Sequence, residues 1–498
     1  MTSRSGDTVP QRSSSRADLI LIQAPYFEDY GPMKKAAGVY FPLGIGYISS
    51  YVRRHEYSVR FIDPNVQSFT GEQIAEEVAE ASPLLVGISF MTPQFFTARN
   101  IVDAIKRRVP EARIVLGGAH PSVMPHRTLA EIPGADFVVA GEGEETTLEL
   151  LEALRGGGAN FSRIDGLAWR DNGEIRVNQC RAPLEDLDAL PFPDRDLIDQ
   201  TLYHQQGFLS YSSKAASIHT SRGCPGRCVF CASGYKLASA VRIRSISNVM
   251  EEITEIRRRQ DVDYLLIKDD TFTMKRNRVR EFCEALKRHH PGLKWHCMGR
   301  VNTIDEDTLR IMKDAGLNDI FFGIESGVDA ILKRCGKGVT TERSRRAVEL
   351  ADKVGVRSYG AFILGLPGDT RETIEQTIRF ACSLPLTMAG FSILIPYPGT
   401  KVYETDYVRN ETDPIDYSAF IASTGTHYVE GYTGLEGMNV AELPALVAQA
   451  QRRFYFRPRQ ILRLLGAATP SMLVGYLKGF AALVSKELYL RSKPAVTP

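Results

Sequence analysis

The stretch Cys224-Pro225-Gly226-Arg227-Cys228-Val229-Phe230-Cys231 decides how the rest of this chain is read. Three thiols fall within eight residues, spaced C-x3-C-x2-C. The run Ala216-Ser217-Ile218-His219-Thr220 before them predicts a short strand, and Ser221-Arg222-Gly223 predicts a turn. The thiols then sit on a loop at the carboxyl end of a strand. Thiolates packed this closely repel one another and oxidise readily, so a chain keeps them where a metal shares them. Three soft sulfur donors on one flexible loop suit an iron–sulfur cluster. A [4Fe–4S] cluster needs four ligands, so three protein thiols leave one iron open. Two plainer readings compete: a zinc site with His219 as fourth ligand, or buried free thiols. Zinc sites usually show two paired ligand sets, and no second C-x2-C exists here.

Downstream, strand and helix patterns alternate. Helical periodicity over 246–259, 277–289, 306–315, 341–354 and 371–383 separates apolar runs over 264–267, 294–298, 319–322, 358–364 and 390–394. With the strand before Cys224 this makes six strand–helix repeats. They predict a partial (β/α)6 barrel over residues 216–400, with its chemistry at the carboxyl ends of the strands. Those ends carry Lys268-Asp269-Asp270-Thr271, Gly299-Arg300, Gly323-Ile324-Glu325-Ser326-Gly327, Gly365-Leu366-Pro367-Gly368 and Pro396-Tyr397-Pro398-Gly399. Charges converging on one barrel mouth are costly without partners, which a zwitterionic ligand and a cluster would supply. The plainer reading of any one carboxylate is a strand-end cap or a rim ion pair. Cys297 alternates within a strand and reads as core. Cys335, between Arg334 and Lys337, reads as a solvated loop cysteine; a functional thiol is the alternative, because flanking cations would lower its pKa.

Upstream, continuous apolar runs at 17–23, 59–62, 84–90, 113–116 and 137–140 alternate with helical patterns over 44–55, 71–81, 95–109 and 122–132. This predicts an α/β, Rossmann-like, doubly wound parallel sheet over residues 17–150. Its strand ends are followed by Pro42-Leu43-Gly44, Met91-Thr92-Pro93, Gly117-Gly118-Ala119-His120-Pro121 and Gly141-Glu142-Gly143-Glu144. Glycines there let backbone approach a bulky ligand closely. None of these runs is G-x-G-x-x-G, so a nicotinamide or flavin site is not indicated.

The spacing C-x3-C-x-aromatic-C resembles the signature of radical S-adenosylmethionine (SAM) enzymes. The domain before it resembles the cobalamin (B12)-binding domain of the cobalamin-dependent members of that family. The resemblance implies that Cys224, Cys228 and Cys231 hold a [4Fe–4S] cluster and that SAM chelates its open iron, with Phe230 near the adenine. It implies SAM contacts at Asp269 or Asp270, which it does not separate, and at Glu325, Ser326 and Arg300. It places cobalamin against Leu43, Gly44, Thr92, Gly117, Gly118, His120, Pro121, Gly141, Glu142, Gly143 and Glu144. The D-x-H-x-x-G that carries a cobalt-ligating histidine elsewhere is absent, so the corrinoid is expected without a protein imidazole on cobalt, and His120 is read as bonding backbone or a cofactor amide. The implied activity is a methyltransferase that methylates an unactivated carbon through a 5′-deoxyadenosyl radical and methylcobalamin. Ring formation or rearrangement with the same cofactors is the alternative, and a non-catalytic metal- and corrinoid-binding protein is the alternative of another class. Methylthiotransferases are disfavoured, since no cysteine precedes Cys180.

The 498 residues suit two or three domains, and 61 basic against 59 acidic residues give no electrostatic reason to expect a nucleic-acid partner. The expected partners are a small-molecule substrate, a secondary metabolite or a lipid-like precursor in class, and an external electron donor. Eight cysteines without a disulfide-framework spacing suggest a cytoplasmic, reducing compartment. Residues 1–16 read as a disordered tail and 151–215 as a linker with a hairpin at Asp171-Asn172-Gly173. Residues 401–498 read as a helical region that covers the barrel, including an amphipathic helix over 471–490 for which a membrane surface is the rival. No stretch reaches the roughly 18 uninterrupted apolar residues a membrane span needs.

Overall fold

Short apolar runs bounded by turn residues become buried strands, and the amphipathic stretches between them become the helices that cover both sheets. The structure, a computed structural model, describes residues 16–26, 38–157, 160–203, 212, 214–233, 241–408, 415–422 and 425–467. Strands β1 (Leu19–Gln23), β2 (Val59–Ile62), β3 (Leu85–Ser89), β4 (Ile114–Gly117) and β5 (Phe137–Val139) run parallel in the order 2-1-3-4-5. The order reverses beside β1, where open α/β sheets form a crevice beyond their carboxyl ends. The hairpin of β6 (Leu167–Asp171) and β7 (Glu174–Val177) turns on Asn172 and Gly173 at φ 49° and 90° and extends this sheet antiparallel from β5. The connector also reaches the core: Leu187, Leu190, Ile198 and Tyr203 pack under the helices Leu43–Arg53 and Glu144–Arg155. The single helix expected over 122–132 is two, Ala119–Val123 and Pro125–Glu131, because Pro125 has no N–H to continue the ladder.

The second sheet holds β8 (Ala215–Ile218), β11 (Tyr264–Ile267), β12 (Lys294–Gly299), β13 (Leu317–Glu325), β14 (Arg357–Leu364) and β15 (Met388–Ile393), side by side and all parallel. Among the described residues its first and last strands do not pair, so the barrel is open. A two-residue ribbon, β9 (Ser221–Arg222) with β10 (Arg242–Ile243), brackets the cysteine loop. The helices after the strand-end loops start on side-chain caps: Ser245, Asp305, Thr340 and Thr370 each accept the amide three residues on. One apolar cluster runs from Ile20 and Ile88 in the first sheet through Ile218 and Leu265 to Phe391. The helix Leu443–Tyr455 lies on β15, where the Tyr455 hydroxyl donates to Ala389 O at 2.7 Å. The tail expected over 1–16 (except Arg16) and the amphipathic helix over 471–490 lie outside the described residues. Among the described residues no helix is long and apolar enough to cross a membrane.

Candidate active site

The cysteine loop leaves β9 through Gly223 at φ 93° and is clamped on several sides. Val229 N donates to Cys335 O at 3.0 Å, Val402 N to Val229 O at 3.0 Å, and Cys231 N to Cys228 O at 3.1 Å. Cys228 is buried, and Cys224 and Cys231 are half-buried. Gly226 must stay small: a Cβ there would lie 2.8 Å from Arg300 Nη1, 3.3 Å from Cys224 Sγ and 3.8 Å from Cys228 Sγ. Arg300 also donates to Lys337 O at 2.6 Å, and the Lys337 ammonium lies 6.0 Å from the centre of the Phe230 ring. Burial pushes the Cys228 thiol above its ordinary value, while Lys337 and Arg300 act in the opposite sense. Three thiols on one clamped loop with two cations behind them form a donor set that suits an anionic iron–sulfur cluster. Among the described residues no three His, Cys, Asp or Glu side chains converge as they would around a single metal ion.

The two aspartates after β11 take different places. Asp269 is buried and accepts from Thr220 N at 2.6 Å, from the Thr220 hydroxyl, and from Ser221 Oγ at 2.7 Å. Its carboxylate holds the end of β8 and the start of the cysteine loop, which makes it a positioning residue. Asp270 stays accessible beside Ser233, and partial desolvation, with the Asp269 charge, pushes its carboxyl above the usual range. Of the pair, Asp270 has the accessible carboxylate.

Glu325 ends β13 at φ 68°, a strained conformation for a non-glycine residue, at a register shift between β13 and β14. Its Oε1 pairs with Lys337 Nζ at 2.7 Å. The Ser326 hydroxyl is buried, 3.2 Å from Thr377 Oγ1, and accepts from Val328 N at 3.2 Å, so it orders the loop. Glu325 and Arg300 stand near the cysteine loop together with Lys337, a member the sequence reading missed. Cys297 is core as expected. Cys335 is a correction: it is fully buried among Ile331, Leu366, Leu394 and Tyr432, and burial pushes its thiol up to about 12. Desolvation outweighs the Arg334 charge because Cys335 packs inward after the helix Asp329–Arg334, while Lys333 and Arg334 stay exposed.

Beyond the carboxyl ends of the first sheet lies a cavity of about 440 Å³. Leu43, Gly44, Gly117, Gly118, Gly141 and Gly143 line it. A Cβ built on Gly44, Gly117 or Gly141 meets no atom within 4 Å, so side chains there would project into open space. This glycine-lined crevice at the topological switch fits a bulky ligand approached by bare backbone. Glu142 and Glu144 also line it, with their carboxylates already engaged, whereas His120 does not. The Glu142 carboxylate takes both Arg242 guanidinium nitrogens, at 2.8 and 2.7 Å, and Glu144 takes Arg222 at 2.6 Å. These acids clamp the first domain onto the ribbon that brackets the cysteine loop. His120 faces neither cavity: its Nδ1 lies 3.1 Å from Thr92 Oγ1, and its ring packs on Phe90, Phe95 and Tyr417. Burial holds it down to about 3, hence neutral. Pro121 is buried behind it.

A larger cavity of about 830 Å³ opens between the two sheets. Leu43, Gly44 and Thr92 line it from the first domain, Phe230 and Cys231 from the cysteine loop, and Tyr397 from beyond β15. Leu43, Gly44 and His219 line both cavities, so the two spaces share a wall. Near this junction Glu252 of the barrel is buried between Arg244 and, at 2.9 Å, Arg195 of the connector, which ties the connector to the barrel. Arg195, Arg222, Arg242, Arg244 and Glu252 escaped the sequence reading because nothing local marks which of many arginines finds a distant acid.

Two family profiles match: the B12 binding domain over residues 32–151 and the radical SAM superfamily over residues 218–381. An uncharacterized methyltransferase from Pyrococcus horikoshii is 32% identical over 422 residues, covering 85% of this chain and 89% of its own. The anaerobic magnesium-protoporphyrin IX monomethyl ester cyclase of Rubrivivax gelatinosus is 28% identical over 425 residues, covering 84% of this chain and 74% of its own. Among solved structures, the cobalamin-dependent SAM radical enzyme OxsB with aqua-cobalamin and SAM bound superposes with a TM-score of 0.71 at 20% identity, covering 91% of this chain and 70% of its own.

Proposed function

The chain belongs to the cobalamin-dependent radical SAM enzymes, and we propose that within this family it is a methyltransferase acting on an unactivated carbon of a small molecule. Its cofactors are a [4Fe–4S] cluster, SAM and cobalamin. When bound, these supply reductive cleavage of SAM, hydrogen abstraction and the methyl group, chemistry that belongs to the cofactors. The observation that carries the reading is the shared wall: one cavity borders both the cysteine loop and the glycine-lined crevice.

In this reading residues 17–150 form the corrinoid module, 151–215 the bridge, 216–400 the catalytic barrel and 401–498 its cover. Cys224, Cys228 and Cys231 hold the cluster. Asp269 fixes the loop that carries them, and Asp270, Glu325 and Arg300 surround SAM. The Glu325–Lys337 pair and the Arg300 contact to Lys337 O hold the charges in place before SAM arrives. Gly44, Gly117 and Gly141 leave room for the corrinoid, and the mostly apolar walls of the larger cavity exclude water from the substrate carbon. An external reductant supplies the electron, and eight free thiols suit work in the cytoplasm.

The test needs no substrate. Anaerobically reconstituted enzyme with cobalamin, SAM and a strong reductant is assayed for both SAM products. S-adenosylhomocysteine formed in proportion to bound cobalamin, together with 5′-deoxyadenosine, is the expected result. 5′-Deoxyadenosine alone would move the assignment to ring formation, the second reading, which the cyclase relative favours.

A further inference from the structure

The larger cavity holds a cation that none of the roles above uses. Lys268 follows β11, and its ammonium stands 3.8 Å from the centre of the Tyr40 ring. Among the described residues no carboxylate lies within ion-pair distance of it. The acids that face it are already engaged. Asp63 takes the Tyr203 hydroxyl at 2.9 Å and the Asn65 amide at 2.7 Å. Asp319, which acts on Lys268 from a distance, takes Tyr264 and His296. His219, also on the wall, is kept neutral by burial. Lys268 itself is drawn down to about 8 by burial, which leaves it charged at neutral pH. Phe41, Met91, Pro93 and Ile421 make the surrounding wall largely apolar.

An ammonium in such surroundings is costly, and an aromatic face offsets only part of the cost. An incoming oxyanion would offset the rest through a charge-assisted hydrogen bond. We propose that Lys268 is the anion-binding group of the substrate cavity and that the substrate is a largely apolar molecule carrying a carboxylate or phosphate. This rests on the reading of that cavity as the substrate site. Phe230 and Cys231 on the cluster side and Leu43, Gly44 and Thr92 on the corrinoid side also border this cavity. The charged groups assigned to SAM, Arg300 and Glu325, nevertheless do not line it, and Lys268 does not line the glycine crevice. The oxyanion is assigned to the substrate, and the cofactor arms of the experiment test that assignment.

The experiment is a fluorescence titration of the reconstituted holoenzyme with two matched probes. One is 1-anilinonaphthalene-8-sulfonate; the other is N-phenyl-1-naphthylamine, the same rings without the sulfonate. Lys268→Met weakens the sulfonate by about tenfold or more and leaves the neutral probe unchanged, and Lys268→Arg restores the sulfonate. S-adenosylhomocysteine and hydroxocobalamin bind all three proteins equally. The proposal is overturned if Lys268→Met binds the sulfonate as wild type does, or loses both probes alike. It is also overturned if Lys268→Met selectively loses S-adenosylhomocysteine or hydroxocobalamin, which would assign the oxyanion to a cofactor. Iron and cobalt contents are read separately. A wild type that loads neither fails the enzyme reading, while the probe pair still reports on Lys268.

Discussion

The mouths of the two sheets solve opposite problems. At the barrel mouth, side chains do the holding: Asp269 is tied to Thr220 and Ser221, and Glu325 to Lys337, so charges stand fixed around the cysteine loop. At the mouth of the first sheet the strand ends are bare. Gly44, Gly117 and Gly141 present empty space, and the acids beside them on the same wall are engaged by Arg222 and Arg242. A small zwitterion is recognised by preset charge, whereas a large corrinoid needs volume and backbone. The lesson is that a conspicuous acidic motif at a ligand site, here Gly-Glu-Gly-Glu, can serve the junction between domains while its glycines serve the ligand.

The largest expected effect breaks one side only. Cys228→Ala abolishes 5′-deoxyadenosine release and lowers bound iron, while cobalamin is retained; simultaneous loss of cobalamin, read by absorbance after gel filtration, would show that the two mouths are not separable in this way. Next comes the junction. Glu252→Gln strands two buried guanidinium groups and destabilises the protein by about 3–5 kcal/mol in denaturant unfolding. A loss within about 1 kcal/mol would mean that this buried cluster adds no more than a surface ion pair.

Lys268 sharpens the comparison through pH. Its folded-state value near 8 lies below its ordinary 10.5, so between these limits the unfolded chain binds more protons than the native one. Stability therefore rises with pH across that window, by at most about 3 kcal/mol, and Lys268→Met removes the rise. An unchanged slope in the variant would show that the ammonium is better solvated than its surroundings suggest. The smallest effect tests volume. Gly117→Phe fills the crevice and weakens hydroxocobalamin by about tenfold, near 1.4 kcal/mol, while the cluster and SAM cleavage persist. Undiminished cobalamin affinity would place the corrinoid elsewhere.

Much of this was legible in the chain. The C-x3-C-x2-C spacing is local, and the strand and helix runs follow from apolar periodicity, so both sheets and the cysteine loop could be read directly. Directions of side chains could not. His120 and Cys335 were placed by the burial of elements packed over them, which no local pattern encodes. Asp269 and Asp270 are adjacent in sequence, and only the fold of β8 back alongside β11 separates an anchor from an accessible carboxylate.

The sequence by itself determined the three-thiol iron–sulfur loop and the order of the modules, because thiol spacing and hydrophobic period act over a few residues. SAM and cobalamin followed from the family resemblance. Tertiary structure alone decided which charges meet. Arg222 finds Glu144 across 78 residues and Arg242 finds Glu142 across 100, and Lys268 is left facing Tyr40. Such pairings depend on which surfaces a fold brings together, and every one of many like charges looks the same until that happens.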